Sequence, residues 1–540
     1  MSLVTFNLKN LMHRYIISAL LPLMMAATLG AQNRYDALRF SENNYYGTAK
    51  SIALGNAVTA LGGDLGSIGI NPAGSAVASY SQFSITPDIT VSSASCDYAP
   101  VAGSQTTGTM NASKSRFTLP NIGVSINMNT GNDWGLKNMT FGFVANSTNN
   151  YLNSVNASGV NSHSSFMGSL AAGAMDEGYT SSVLNDFESY YGVGSYAPSW
   201  NSILGYRSNI IGGFGDDENA YYAGGSENIY LGEDGIYYVD LGGDINQAYK
   251  RQEVGHKTDV IMNFAMNFDD KFYLGANIGI PQISYSSVDY ISETPVDVDD
   301  FQMGLLNGKY HYSYTADADG IYAKIGFIWR PLNGLRIGGA LQTPTIYSVS
   351  ESWWLSGESS YADSSYDASD STPQADFRYN LRTPAIYNLG VAYTFGSKGF
   401  ISADWERTDY RGMRFSQYAD PYDGSYYESD FSAVNRDIAV NCYSQNVFRL
   451  GAEYRIRQDL AVRAGYNSKN TAKSYSIGLG YSSGGSFFLD AAARATQYNR
   501  KAYCPYDDYL YNADGTVLAS MAAYSARKLV DFVVTFGWRF

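Results

Sequence analysis

Few residues in this 540-residue chain have the types and spacing that bond-making chemistry needs. Beyond residue 31 there are three histidines, His163, His256 and His311, all in or beside stretches that read as loops. No Ser/His/Asp arrangement is visible around them, and no histidine pair has the character of axial haem ligands. Cys96, Cys442 and Cys504 are an odd count, spaced too widely for a metal site; one disulfide is possible, a disulfide framework is not. The acid runs Asp216-Asp217-Glu218 and Asp297, Asp299, Asp300 present carboxylates to a divalent cation, but read first as solvated loop surface. Glycines recur between Gly47 and Gly74, yet no strand precedes them and no Gly-Lys-Ser/Thr follows, so a nucleotide loop is not expected. The residues point to no enzyme, no cofactor and no metal.

What the chain does have is strands. Val530, Phe532, Val534, Phe536, Trp538 and Phe540 fall on one face of the C-terminal segment, and Asp531, Val533, Thr535, Gly537 and Arg539 on the other. That period of two, apolar on one side, asks for oil on one side and water on the other. The pattern recurs in pairs: Val260 to Phe268 with Phe272 to Ile280, Ile321 to Trp329 with Leu335 to Leu341, Phe448 to Ile456 with Leu460 to Tyr466. With Ile122–Met128, Met139–Phe143, Tyr475–Tyr481 and weaker strands near 80–93, 380–395, 400–415 and 486–499, the count is fourteen. Short turns such as Asp269-Asp270-Lys271, Arg457-Gln458-Asp459 and Ser483-Gly484-Gly485 alternate with long polar stretches at 94–114, 153–255, 294–310, 355–374, 417–443 and 500–526. Short–long alternation is the mark of an up-and-down membrane barrel, and an even strand count puts both chain ends on the short-turn, periplasmic side. Within the longest loop, Phe166–Ala172 and Trp200–Leu204 read as short amphipathic helices at the external mouth. Pro120, in Leu119-Pro120-Asn121-Ile122-Gly123, marks a candidate strand irregularity because proline cannot donate to a ladder.

Composition agrees with the barrel. There are 47 Tyr and 54 Gly but only 16% charged residues, and no later run reaches the roughly 18 apolar residues of a spanning helix. Residues 1–31 carry Lys9 and Arg14, an apolar run from Ile16 to Leu29 and a small-residue exit at Gly30-Ala31, which reads as a secretory signal. Its removal takes the formal net charge from −14 to −16, which argues against nucleic acid as a partner. Charged residues in the inward phase, among them Lys324, Arg336, Asp404, Glu406, Arg449, Glu453, Arg463, Asp531 and Arg539, are expected to pair across the lumen.

Residues 32–78 fit no barrel strand. Gly47-Thr48-Ala49-Lys50-Ser51, Gly62-Gly63-Asp64 and Asn71-Pro72-Ala73-Gly74 have the density of small residues that a plug in a crowded lumen requires. This segment, ending in Asn71-Pro72-Ala73 between signal and first strand, resembles the hatch of the FadL/TodX family of outer-membrane transporters for long-chain fatty acids and other hydrophobic compounds. Leu335-Arg336-Ile337-Gly338-Gly339-Ala340-Leu341-Gln342-Thr343-Pro344-Thr345, Arg449 to Arg455 and Arg463-Ala464-Gly465-Tyr466 are similar to the strand motifs of Bacteroidetes-type members. Loop 153–255 is longer than the family leads one to expect.

The expected architecture is therefore all-β: a 14-stranded antiparallel transmembrane barrel over 79–540, with a hatch at 32–78 and a 153–255 external loop insertion. The resemblance implies hatch-gated passive movement of a hydrophobic small molecule, with lateral exit through the wall beside the motif. It assigns the gate to Asn71, Pro72, Ala73 and Gly74, allows ligand contacts from Phe40, Tyr45 and Tyr46, and makes Phe536, Trp538 and Phe540 the signal read by the barrel assembly machinery. The other partners it implies are outer-membrane lipid and lipopolysaccharide, with a monomer in the outer membrane. A general diffusion porin and a surface adhesin are the alternatives; a porin would lack the hatch, and energy-coupled haem receptors need a larger plug and 22 strands.

Overall fold

The computed structural model describes residues 32–192, 197–215, 220–233, 235–419, 430–483, 486–511 and 517–540. The signal segment, Asp216-Asp217-Glu218 and most of the Ser483-Gly484-Gly485 turn lie outside the described residues.

Fourteen antiparallel strands close on themselves. In chain order they are β1 Gln82–Ala99, β2 Thr107–Asn129, β3 Leu136–Asn150, β4 Ile245–Phe268, β5 Phe272–Pro295, β6 Leu305–Leu332, β7 Leu335–Gln342 continued by Ile346–Tyr361, and β8 Ala375–Arg382 continued by Ile386–Thr394. The circuit goes on through β9 Gly399–Asp409, β10 Ser444–Arg455, β11 Leu460–Lys469, β12 Ala472–Ser482, β13 Phe487–Tyr498 and β14 Ala522–Arg539. Closure is made by β14 against β1, in register from Gln82 opposite Arg539 to Ala99 opposite Ala522. A closed sheet leaves no free outer edge, so neighbouring strands satisfy one another's ladder groups round the circuit except where β2 and β3 part.

The alternation sorts side chains as the sequence implies. On β14, Phe532, Phe536, Trp538 and Phe540 are outward and exposed, while Asp531, Val533 and Thr535 are buried. Phe272, Trp329, Tyr393, Tyr454 and Trp538 face outward near the short-turn end, the level at which an aromatic girdle meets a lipid headgroup region. The tight turns use left-handed backbone: Asp269 and Asp270 both have positive φ, 56° and 58°, a conformation that short polar side chains tolerate.

The strands run further at the long-loop end than hydropathy suggests. The stretch 153–255 begins as strand Asn153–Asn161 and ends inside β4, so the insertion proper is 162–244. It holds helices α3 Phe166–Glu177, α4 Ser181–Asn185 and α5 Trp200–Arg207, whose apolar residues pack with Tyr98, Ile291, Leu305, Leu355 and Tyr361 of the strands into a cap. Likewise 94–114 is mostly β1 and β2, leaving only 100–106 as connection.

Below the cap the lumen is filled by residues 32–78. Two hatch helices, Arg34–Ser41 and Ala49–Ala53, are followed by a 3₁₀ turn over Pro72–Val77.

Candidate functional site

Asn71 is fully buried and joins three parts of the molecule. Its Oδ1 accepts from the Ala73 N–H at 3.1 Å, capping the 3₁₀ turn. Its Nδ2 donates to the Thr59 carbonyl at 2.7 Å, within the hatch, and to the Phe327 carbonyl of β6 at 3.0 Å. Pro72 occupies the first position of the turn, where its missing N–H costs nothing. Its carbonyl accepts from Asn263 Nδ2 of β4 at 3.0 Å. Ala73 is fully buried against Ala265, Tyr273 and Ile328. The Gly74 N–H donates to Asn71 and its carbonyl accepts from the Gly63 N–H, closing the two glycine segments on each other.

The wall is shaped for this contact. A Cβ on Gly275 would overlap Pro72 and Ala73, one on Gly326 would overlap Asn71, and one on Gly338 would overlap Thr59 and Ala60. Gly451, Gly465 and Gly478 stand in the same relation to Leu54, Gly55 and Ala53. Six strands thus contribute a bare backbone to one belt, against which the hatch backbone lies. The motif showed only the hatch half of this contact. The other half was present in the sequence as glycine recurring in the inward phase of neighbouring strands.

Luminal charges also hold the hatch. Lys324 Nζ donates to the Gly69 carbonyl at 2.5 Å, Arg336 to Leu61 at 2.7 Å and Lys257 to Phe40 at 2.8 Å. Asp404 accepts from the Thr59 N–H at 2.8 Å. The expected pairing across the lumen is not what forms. Arg449 with Glu406, Arg463 with Glu453 and Arg494 with Asp531 pair at 2.8 Å between adjacent strands, so the ion pairs run round the wall. Adjacent inward positions are only a strand spacing apart, whereas the hatch occupies the space between opposite walls.

Phe40 sits on the helix Arg34–Ser41, here α1, inside an aromatic chamber with Tyr151, Tyr285, Tyr314, Tyr379 and Phe415. Its ring meets Tyr285 edge-on at 6.2 Å. Arg39 of the same helix lies over Tyr285 and pairs with Asp36. Helix α6, Ser432–Asn441, covers the chamber with Phe431 and Ile438, and its Asp437 takes Arg34 at 2.8 Å. Tyr45 and Tyr46 lie lower in the lumen. Tyr45 has a positive φ of 28° and sits beside Arg449 and Lys324; Tyr46 lies 4.2 Å from Arg494. Phe40, Tyr45 and Tyr46 therefore share the lumen but not one pocket.

The remaining feature is a seam in the wall. β2 and β3 are laddered only from Asn129 opposite Asn138 up to Asn121 opposite Asn146, where Asn121 Nδ2 donates to Asn146 Oδ1 at 2.7 Å. Beyond that rung β3 leaves β2. Its register with β4 slips between Ser147 and Asn149, and β2 carries an extra residue against β1 at Leu119-Pro120. Pro120 is thus at the irregularity its chemistry suggested. Two long side chains replace the missing ladder: Arg116 reaches the Gly255 carbonyl at 2.9 Å, and Lys114 reaches Gln252 at 2.7 Å. Phe117 and Leu119 stand exposed at the outer lip. On the inner side the hatch takes the freed carbonyls: Tyr46 N–H donates to Ser147 at 2.8 Å and Asn44 N–H to Thr148 at 2.7 Å. Gly69 lies against Asn146 just below.

No family model matches the chain, and no curated protein does. Among solved structures it is similar to the toluene transporter TodX of Pseudomonas putida, at 13% identity over 93% of this chain and 100% of that one, with a TM-score of 0.48. It is also similar to the toluene transporter TbuX of Ralstonia pickettii, at 14% identity over 91% and 98%, TM-score 0.47. A Pseudomonas aeruginosa FadL homologue gives 11% identity over 92% and 98%, TM-score 0.47.

Proposed function

We propose that this chain is a hatched outer-membrane barrel that passes hydrophobic small molecules, such as long-chain fatty acids, inward by diffusion. The solute enters from the capped end, takes the aromatic chamber as α1 withdraws, and leaves sideways between β2 and β3. The observation that carries the reading is the seam, an interruption of the wall ladder that the hatch itself closes from within. Each CH₂ prefers hydrocarbon to water by about 0.8 kcal/mol, so a sideways exit spares an apolar chain the aqueous periplasm. The α1 helix has eight residues, well under the roughly 12 at which an isolated helix holds together in water, and is therefore suited to leaving its seat. Asn71 to Gly74 anchor the hatch to the wall as it moves, and Phe536, Trp538 and Phe540 serve assembly of the barrel.

The test is uptake of labelled palmitate and of a labelled small sugar into liposomes holding the purified barrel, beside the Asn71→Ala/Pro72→Ala variant. Palmitate uptake above empty liposomes without sugar leak, altered in the variant, is the expected result. Sugar passing freely with no preference for palmitate would make this a porin.

A further inference from the structure

Arg382 of β8 and Arg414, in the short strand Arg414–Gln417 that extends β9, stand directly opposite one another on the outer face of the wall. Both are exposed, and no carboxylate lies within 4.0 Å of either among the described residues. Like charges in directly opposed cross-strand positions destabilise a sheet unless an anion lies between them. Arg407, also exposed and outward on β9, stands at the same end of the apolar belt, above Trp405, Ala403 and Ile401 in its own strand. Arg414 donates to the Arg411 and Met413 carbonyls through one nitrogen, which leaves the rest of its fork free. The neighbouring Asp409 is taken by Arg411, and Asp317, Asp319 and Asp376 face outward on other parts of the same surface.

Below Arg407 the wall is hollowed. A concavity of about 880 Å³ runs over β4 to β9, floored by Gly275, Ala276 and Gly339 and flanked by Phe327, Leu389 and Trp405. The hollow lies behind the glycine belt, so the small residues that admit Asn71 and Pro72 on the inside also thin the wall on the outside.

We propose that this face binds one phosphorylated glycolipid of the outer leaflet, with phosphate on Arg382, Arg407 and Arg414 and an acyl chain in the hollow. Charge complementarity names the occupant: an apolar bed ending at three arginines, on a chain whose formal net charge is −14, fits a molecule with chains below and an anion above. Within a bilayer the chain gains nothing from leaving water, so selectivity must come from the arginine–phosphate contacts, with the hollow choosing among chain shapes. The site does not depend on what the lumen carries; it requires only that the long-loop end faces outward.

The experiment is native mass spectrometry of the purified full chain titrated with lipid A, with dephosphorylated lipid A and with phosphatidylglycerol. Wild type should retain lipid A at one per barrel, and at least tenfold less of the other two. Arg382→Gln/Arg407→Gln/Arg414→Gln should lose lipid A retention at least tenfold while keeping the heat-modifiable migration of a folded barrel and its palmitate uptake. Ala276→Phe, which fills the hollow from the lipid side, should weaken retention with the arginines intact. Equal retention by the triple variant, equal binding of the dephosphorylated lipid or of phosphatidylglycerol, or a dimer formed through this face without lipid would each overturn the assignment.

Discussion

The main-chain N–H of Tyr46 donates to the carbonyl of Ser147 at 2.8 Å, one residue beyond the last rung that joins β3 to β2. A wall strand that has given up one neighbour has thereby taken the hatch as its next. The two hydrogen bonds from Tyr46 and Asn44 are each worth about 0.5–1.5 kcal/mol, small enough to break in the proposed sideways exit of solute.

If hatch and seam move together, joining them stops transport. Asn44 Nδ2 meets Asn149 Oδ1 at 2.8 Å, so these side chains face each other across the junction. In a chain with Cys96, Cys442 and Cys504 replaced by alanine, Asn44→Cys/Asn149→Cys treated with a short cleavable bis-thiol reagent should lose palmitate uptake at least tenfold. Cleaving the linker should restore it. Unchanged uptake in the cross-linked protein would show that solute leaves by a route the hatch does not close.

The anchoring contact predicts a leak. Asn71→Ala removes a cap worth about 1 kcal/mol and strips the buried Thr59 carbonyl of a partner, a further 1–3 kcal/mol or so. Gly326→Ala attacks the same contact from the wall, because its Cβ would overlap Asn71 Oδ1. Both should raise sugar efflux from liposomes with no loss of folded barrel. Because they disturb one contact, the double variant should leak no more than the worse single one. Additive leaks would mean the two residues act separately.

How much of this was legible in the sequence depends on which residues face lipid. Where the outer face is apolar, the period of two is plain, and Val260 to Phe268 or Ile321 to Trp329 read directly as strands. Beyond the belt the outer face turns polar, as at Gln282 and Ser284 of β5, while tyrosines such as Tyr285 fill the inside. The alternation then survives only as polar against aromatic, and β1, β2, β4 and β5 look shorter than they are. Asn71-Pro72-Ala73 was readable because a motif is local. The seam was not, because it depends on which strand Ser147 pairs with; Pro120 and the run Asn146-Ser147-Thr148-Asn149-Asn150, poor in strand formers, were its only local trace.

The cap carries a pH dependence. Glu227, in the 162–244 insertion, accepts from the Gly224 N–H and is buried near Glu293, and that burial pushes its carboxyl up to about 7. A carboxyl raised above its unfolded value near 4.5 adds stability that is complete below 4.5 and is lost as pH rises through 7. The shift corresponds to roughly 3 kcal/mol. Limited proteolysis of the cap, or the fluorescence of Trp200, should therefore report a tighter cap at pH 5 than at pH 8. Glu227→Gln should shrink that difference and leave the part carried by the neighbouring buried Glu293, and a wild-type profile that is flat or tightens with rising pH would contradict the assignment.

The last residue separates recognition from stability. Phe540 and Ser81 exchange both main-chain hydrogen bonds, at 3.0 and 3.1 Å, as the final rung beyond β14 and β1, and Phe540 is 71% exposed. Deleting Phe540 removes that rung and little burial, a loss of about 1–3 kcal/mol from a wall closed by sixteen residues of β14 along β1. In detergent the shortened chain should refold and migrate as wild type does. In cells, if the terminal aromatic is read by the assembly machinery, the same deletion should cut folded barrel in the outer membrane several-fold, and Phe540→Tyr should restore it. Equal losses in both settings would reduce Phe540 to a ladder partner; a loss only in cells is the outcome expected of an assembly signal.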